Sequence, residues 1–207
     1  NNMNHELLEN NKVYLSGQIS SKPEFSHEVF GESFYQFNMS ILRLSGQYDI
    51  IPITISERIM GNLPFEIGSP IAIKGQFRSY NKLVGDKSKL VLTVFVREIV
   101  DVEDDANPNV VELSGYICKE PIYRTTPFNR EIADILLAVN RAYNKSDYIP
   151  CIAWGRNARF VSDIKVGTRI TLIGRVQSRE YTKVVEEGKE PEIRRAYEVS
   201  ISKIALE

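Results

Sequence analysis

The sequence repeats itself once. "KVYLSGQISSKPEF" (12–25) returns about 98 residues later as "VVELSGYICKEPIY" (110–123), with Gly17 against Gly115 and Pro23 against Pro121. "IIPITIS" (50–56) returns as "YIPCIAW" (148–154), and "IGSPIAIKGQFRSY" (67–80) as "VGTRITLIGRVQSREY" (166–181). The last pair sets Gly68 against Gly167 and Gly75 against Gly174. Solenoid units repeat every ~20–50 residues, so a period of this length means a duplicated domain. Between the copies lies "EDDANPN" (103–109), acidic and Pro-containing. The chain therefore divides into a polar extension (1–11), a first domain (12–103), a linker (104–109) and a second domain (110–207).

Each copy has the same order of short strands rich in β-branched residues. A strand with a central Gly comes first, then a long strand and an Ile/Val-rich strand. A short polar helical stretch follows (57–64 and 156–164), then a Gly-containing strand, a charged hairpin loop and a last strand. Gly inside strands marks the tight bends of a small closed barrel. Five strands with one helix between the third and fourth is the OB-fold arrangement. The expected fold is all-β: two tandem five-stranded OB barrels, each with one short helix.

Composition limits the chemistry. The two cysteines, Cys118 and Cys151, form no CxxC and have no nearby His, so they read as structural thiols. His5 and His27 read as solvated loop residues. There is no GxSxG, no P-loop and no paired catalytic carboxylates, and Asp134, Asp147 and Asp163 stand apart from any His or Cys. No enzyme, metal or cofactor is expected. No apolar run approaches the ~18 residues of a membrane span, and no export signal is visible, which points to the cytoplasm. Residues 1–108 hold 10 Lys and Arg against 14 Asp and Glu, a net −4, whereas residues 109–207 hold 16 against 13, a net +3. Ten of those 16 basic residues are Arg.

In "SDYIPCIAWGRNARF" (146–160) strand alternation puts Tyr148 and Trp154 on one face. Ile149, Cys151 and Ala153 fall on the other, small enough for a narrow barrel interior. The aromatics then face outward among arginines. Such a surface stacks bases and neutralises phosphates, at ~1–3 kcal/mol per stacked base.

"VVELSGYICKEPIYRTTP", "ADILLAVNRAY", "SDYIPCIAWGRNA" and "VGTRITLIGRVQSREYT", in this order and spacing, resemble the bacterial single-stranded-DNA-binding protein family, SSB, over 110–206. The first half resembles it only faintly. The resemblance implies sequence-independent binding of single-stranded DNA, and possible contact with RNA is left open. It implies base-stacking positions at Tyr143, Tyr148, Trp154 and Tyr181, the last in the hairpin between strands four and five. Arg141, Arg156, Arg159, Arg175, Arg179, Arg194 and Arg195 are the expected phosphate contacts. The family usually presents four OB domains, so a two-domain chain is expected to form a homodimer. Family members recruit proteins through an acidic C-terminal tip. This sequence ends at "SKIALE", and the acidic "VVEEGKEPE" (184–192) reads as a hairpin tip, so that mode of recruitment is left in doubt.

In the first copy the four stacking positions become Ser45, Ile50, Ser56 and Lys82. Tyr48, Phe77 and Tyr80 lie nearby as substitutes. The acidic balance and lost aromatics make this half read as a degenerate OB domain used for assembly or partner contact, the alternative being DNA binding through a rearranged surface. The competing reading of the whole chain is an accessory, primosome-like interaction module with weak DNA binding.

Overall fold

A computed structural model describes residues 9–207; the expectations for His5 and most of the polar extension fall outside them. The first half runs β1 (Asn11–Ile19), β2 (Glu24–Val29), β3 (Glu32–Leu42), β4 (Tyr48–Ser56), α1 (Glu57–Met60), β5 (Pro70–Val84) and β6 (Lys87–Val100). The second repeats it as β7 (Asn109–Ile117), β8 (Ile122–Thr125), β9 (Glu131–Arg141), β10 (Lys145–Trp154), α2 (Gly155–Ser162), β11 (Arg169–Lys183) and β12 (Glu192–Leu206).

Five strands close each barrel. β1 pairs with both β3 and β5, and the parallel pair β4–β6 closes the ring. β7 pairs with β9 and β11, and β10–β12 closes the second ring in the same way. Alternation fills the interiors: Ile51, Ile53 and Ile55 in one barrel and Ile149, Cys151 and Ala153 in the other are buried. The repeated strand glycine is needed at Gly75 and Gly174. A Cβ there would lie 2.1 Å from the Phe95 and Ser200 carbonyl oxygens respectively. Both sit at a register shift, where the long strand bends to stay in two pairings.

Several expectations need correction. Each half has a sixth short strand, β2 or β8, hydrogen-bonded to the long third strand. β2 is mostly exposed, so it carries no apolar alternation to read, and its turn at Phe30–Gly31 has positive φ at both residues. His27 lies on β2, not in a loop. The helices cover only 57–60 and 155–162; Gly61, with φ +57, ends the first. Phe77 is fully buried in the core and so is not a surface aromatic. Tyr181 lies within β11 rather than in the hairpin loop, because that strand continues to Lys183.

The two barrels share one sheet. β1 and β7 pair antiparallel, with Val13 opposite Val111 and the pairs Asn11–Leu113 and Leu15–Asn109 disposed evenly about it. That register makes the pairing a pseudo-twofold, and the polar contacts around it repeat at the offset of the duplication. Asn11 clamps the Phe77 backbone, donating at 2.7 Å and accepting at 2.8 Å. Asn109 does the same to Val176. The Ser79 amide donates to Asp147 at 3.0 Å, and the Ser178 amide to Asp49 at 3.1 Å. Arg43 and Arg141 pair with those two buried carboxylates. Burial raises the Asp147 carboxyl pKa, against the pull of the Ser79 amide and of Arg141.

Candidate nucleic-acid interface

Trp154 ends β10 on the outer face of the second barrel. Its cross-strand partner is Ile132, and Ile152 lies two residues before it on the same face. Both isoleucines are buried, which gives the indole an apolar floor. The indole Nε1–H donates to Ser200 Oγ at 3.1 Å, fixing the ring plane. The Arg130 guanidinium lies 4.7 Å from the ring centroid. Trp154 is also the N-cap of α2, where it provides no side-chain hydrogen bond. Its counterpart Ser56 caps α1 by accepting from the Ile59 amide at 3.2 Å. A capping serine contributes about 1 kcal/mol to a helix, so the tryptophan occupies this place at the expense of local stability.

A model of the Single-strand binding protein family matches residues 108–206. The match to the SSB family thus covers the second barrel. "Single-stranded DNA-binding protein 1" of Staphylococcus aureus (strain COL) is 38% identical over 80 residues, 35% of this chain and 48% of that protein. The chain thus spans about half the length of the curated relatives it matches. The crystal structure of wild-type single-stranded DNA binding protein from Thermus aquaticus superposes with a TM-score of 0.73 at 21% identity, covering 95% of this chain and 92% of that one. That likeness supports the tandem-barrel fold. The N-terminal domain of PriB protein from Thermoanaerobacter tencongensis aligns at 45% identity over 46% of this chain and all of its own, with a TM-score of 0.41.

Within the second barrel the predicted residues fall in three places. Trp154, Arg156 and Arg159 gather where β10 enters α2, and Arg159 is paired with Glu131 at 3.0 Å. Tyr148, Arg141 and Tyr143 lie at the other end of β10, ~20 Å away at about 3.3 Å per strand residue. Tyr148 is half-exposed, and its amide is held by Ser79 of the first barrel at 2.7 Å, so it lies at the seam. Tyr143 projects from the β9–β10 turn with its ring almost wholly exposed and φ at +65. A groove beside that turn is lined by Tyr143, Arg141, Tyr116 and Arg169. Tyr181 is the third place, on the β11–β12 arm opposite Arg194.

Five of the seven predicted phosphate contacts are tied to carboxylates: Arg141 to Asp147, Arg159 to Glu131, Arg179 to Glu198, Arg194 to Glu192 and Arg195 to Glu180. Arg175 instead donates to the Gln177 side chain at 3.0 Å. Burial, then Arg43 from the first barrel, lowers the Arg175 pKa. Arg156 is exposed and has no ion pair among the described residues. Sequence reasoning missed Arg130, which precedes β9 and is far from Trp154 in the chain; only the Ile132–Trp154 register brings it near. Burial keeps the Cys151 thiol protonated well above its ordinary range. Among the described residues no group of His, Cys, Asp and Glu is placed to hold a metal, and no helix is long and apolar enough to cross a membrane.

Proposed function

We propose that the chain binds single-stranded DNA without sequence preference, stacking bases on Trp154, Tyr148, Tyr143 and Tyr181 and holding phosphates with arginines. The observation that carries this is the Trp154 indole, pinned by Ser200 on an outer sheet face with a guanidinium over its ring. A guanidinium plane over an indole occupies the kind of place a base takes, and an arriving strand exchanges it for a base while Arg130 turns to a phosphate. The curated relatives carry the name single-stranded DNA-binding protein, which favours the same ligand. In this reading two chains associate to present four barrels and serve DNA replication, recombination or repair in the cytoplasm.

Trp154 is the chain's single tryptophan, so its emission reports this site alone. Titration with oligo(dT) is expected to quench it strongly, and the affinity is expected to fall with salt as counterions are released. Absence of quenching, with no binding in an independent assay, overturns the proposal. A second reading, the accessory interaction module, is favoured by the five arginines already paired with carboxylates. It expects weak quenching and weak salt dependence.

A further inference from the structure

The first barrel lacks aromatics at the four family positions, yet its outer face carries an aromatic row. His27 on β2 stacks on Phe34 of β3, centroids 4.9 Å apart and planes within 9°. Phe34 in turn meets Phe95 of β6 at 5.7 Å. Between β3 and β6 runs β4, and the residue opposite Phe34 there is Ser56. A serine in the middle leaves room for the two flanking rings to meet over it. In the second barrel the equivalent trio is Ile132, Trp154 and Ser200. The same patch of sheet therefore bears its aromatic surface in both barrels: on the middle strand in one, on the flanking strands in the other. Aligning the copies position by position cannot reveal this, because each aromatic of one copy faces a non-aromatic residue of the other.

The cation is transposed as well. Arg78 of β5 lies 4.0 Å from the Phe95 centroid, as Arg130 lies over Trp154. Arg78 donates to the Gln76 side-chain oxygen at 2.9 Å, and Arg97 donates to that same oxygen at 3.3 Å. Neither arginine has a carboxylate ion pair among the described residues. Two guanidiniums thus converge on one neutral acceptor beside the aromatic row. Burial, with Arg141 and Arg97 acting in the same direction against the pull of Asp147, lowers the Arg78 pKa to about 10, so positive charge is crowded there. The nearest ion pair along β3, Glu32 with Arg58, is internally compensated. The acidic balance of the first half also lies outside the barrel: residues 12–100 hold ten Lys and Arg against eight Asp and Glu. The excess acid belongs to the linker and the N-terminal extension.

We propose that the first barrel binds a single-stranded polynucleotide on its own account, stacking bases along His27, Phe34 and Phe95 and meeting phosphates with Arg78 and Arg97. This rests on the single-strand reading of the second barrel and extends it. Ser79, next to Arg78 on β5, donates its amide to Asp147 at 3.0 Å and accepts from the Tyr148 amide at 2.7 Å across the seam, which places the two surfaces on adjoining sides of it. One OB fold occupies ~4–16 nucleotides, so the pair accommodates a longer strand than the second barrel alone.

The test moves the reporter. In a Phe95→Trp, Trp154→Phe double variant of the full chain, oligo(dT) is expected to quench the relocated indole. In parallel, a Phe34→Leu, Phe95→Leu variant, which keeps apolar cover, is compared with wild type on oligo(dT) of about 10 and about 30 nucleotides, one and two OB site sizes. Quenching of Trp154 by the short oligomer is expected to persist, while affinity for the long one falls about tenfold. Arg97→Gln, at an exposed position, is expected to reduce the salt slope by about 0.7. Binding through Trp154 with no quenching at position 95, and long-oligomer affinity unchanged by the leucines and by Arg97→Gln, overturns this inference alone. It would point instead to a protein partner on the aromatic row. Failure of the wild-type chain to bind either oligomer overturns both readings.

Discussion

The two barrels differ in how they hold the arginines beside their aromatic surfaces. The second has more arginine, but five of its candidate contacts already face carboxylates. In the first, Arg78 and Arg97 share the neutral oxygen of Gln76. The lesson is that a count of basic residues measures potential, and the neighbours decide availability. An arginine in a surface ion pair must exchange one anion for another on binding a phosphate, with little net gain. An arginine held by an amide loses far less.

The architectural half of the comparison is broken most severely by filling the bends. Gly75→Ala and Gly174→Ala each force a Cβ against a backbone oxygen. Overpacking of this kind costs about 3 kcal/mol or more, a drop of about 6–12 °C in melting temperature for a chain of this size. Equal losses by circular dichroism, with Trp154 emission moving together with the backbone signal, would show that the shared sheet melts as one unit. Asn11→Ala and Asn109→Ala come next. Each leaves a buried amide and a buried carbonyl without their partner, a loss of about 2–3 kcal/mol. Denaturant titration is expected to give the same value for both, and a clear inequality would break the pseudo-twofold.

Function separates the halves where stability does not. Trp154→Ala is expected to weaken oligo(dT) binding by ~1–3 kcal/mol, the worth of one stacked base. Ser56→Ala at the matching position removes a helix cap worth about 1 kcal/mol but keeps the space over which Phe34 and Phe95 meet, so oligo(dT) binding followed by fluorescence anisotropy is expected to stay unchanged. Glu198→Gln frees Arg179 from its carboxylate. It is expected to tighten binding by up to about fivefold, the ~1 kcal/mol ceiling of such pairs, and to steepen the salt dependence. The smallest effect is a pH slope. Since burial makes the folded chain hold the Asp147 proton more tightly than the unfolded one, this group stabilises the fold at acid pH. The contribution fades as pH rises just above the ordinary carboxylate range. Asp147→Asn should flatten that part of a melting-temperature profile.

The barrels themselves were legible because duplication, strand alternation and in-strand glycine are local patterns. Ile149, Cys151 and Ala153 are buried opposite Tyr148 and Trp154, as alternation requires. What was not legible depends on registers between strands. β2 is too exposed to show a pattern, so His27 read as a loop residue. Phe34 and Phe95 are some sixty residues apart and meet only because Ser56 lies between them. Arg130 over Trp154 is likewise set by cross-strand pairing. The whole-half charge also misled, because it mixed a barrel with an acidic linker.

The seam between β1 and β7 has one further consequence. In an assembly of identical chains, any substitution appears on every copy, and a side chain suited to one surface is imposed on all. Here the two copies are joined in one polypeptide, with Asn11 and Asn109, and Asp49 and Asp147, keeping the joint alike on both sides. Mutation can then alter one outer face while the other stays as it was. An indole on one middle strand and a serine on the other is a pattern that such freedom permits and that strict symmetry forbids.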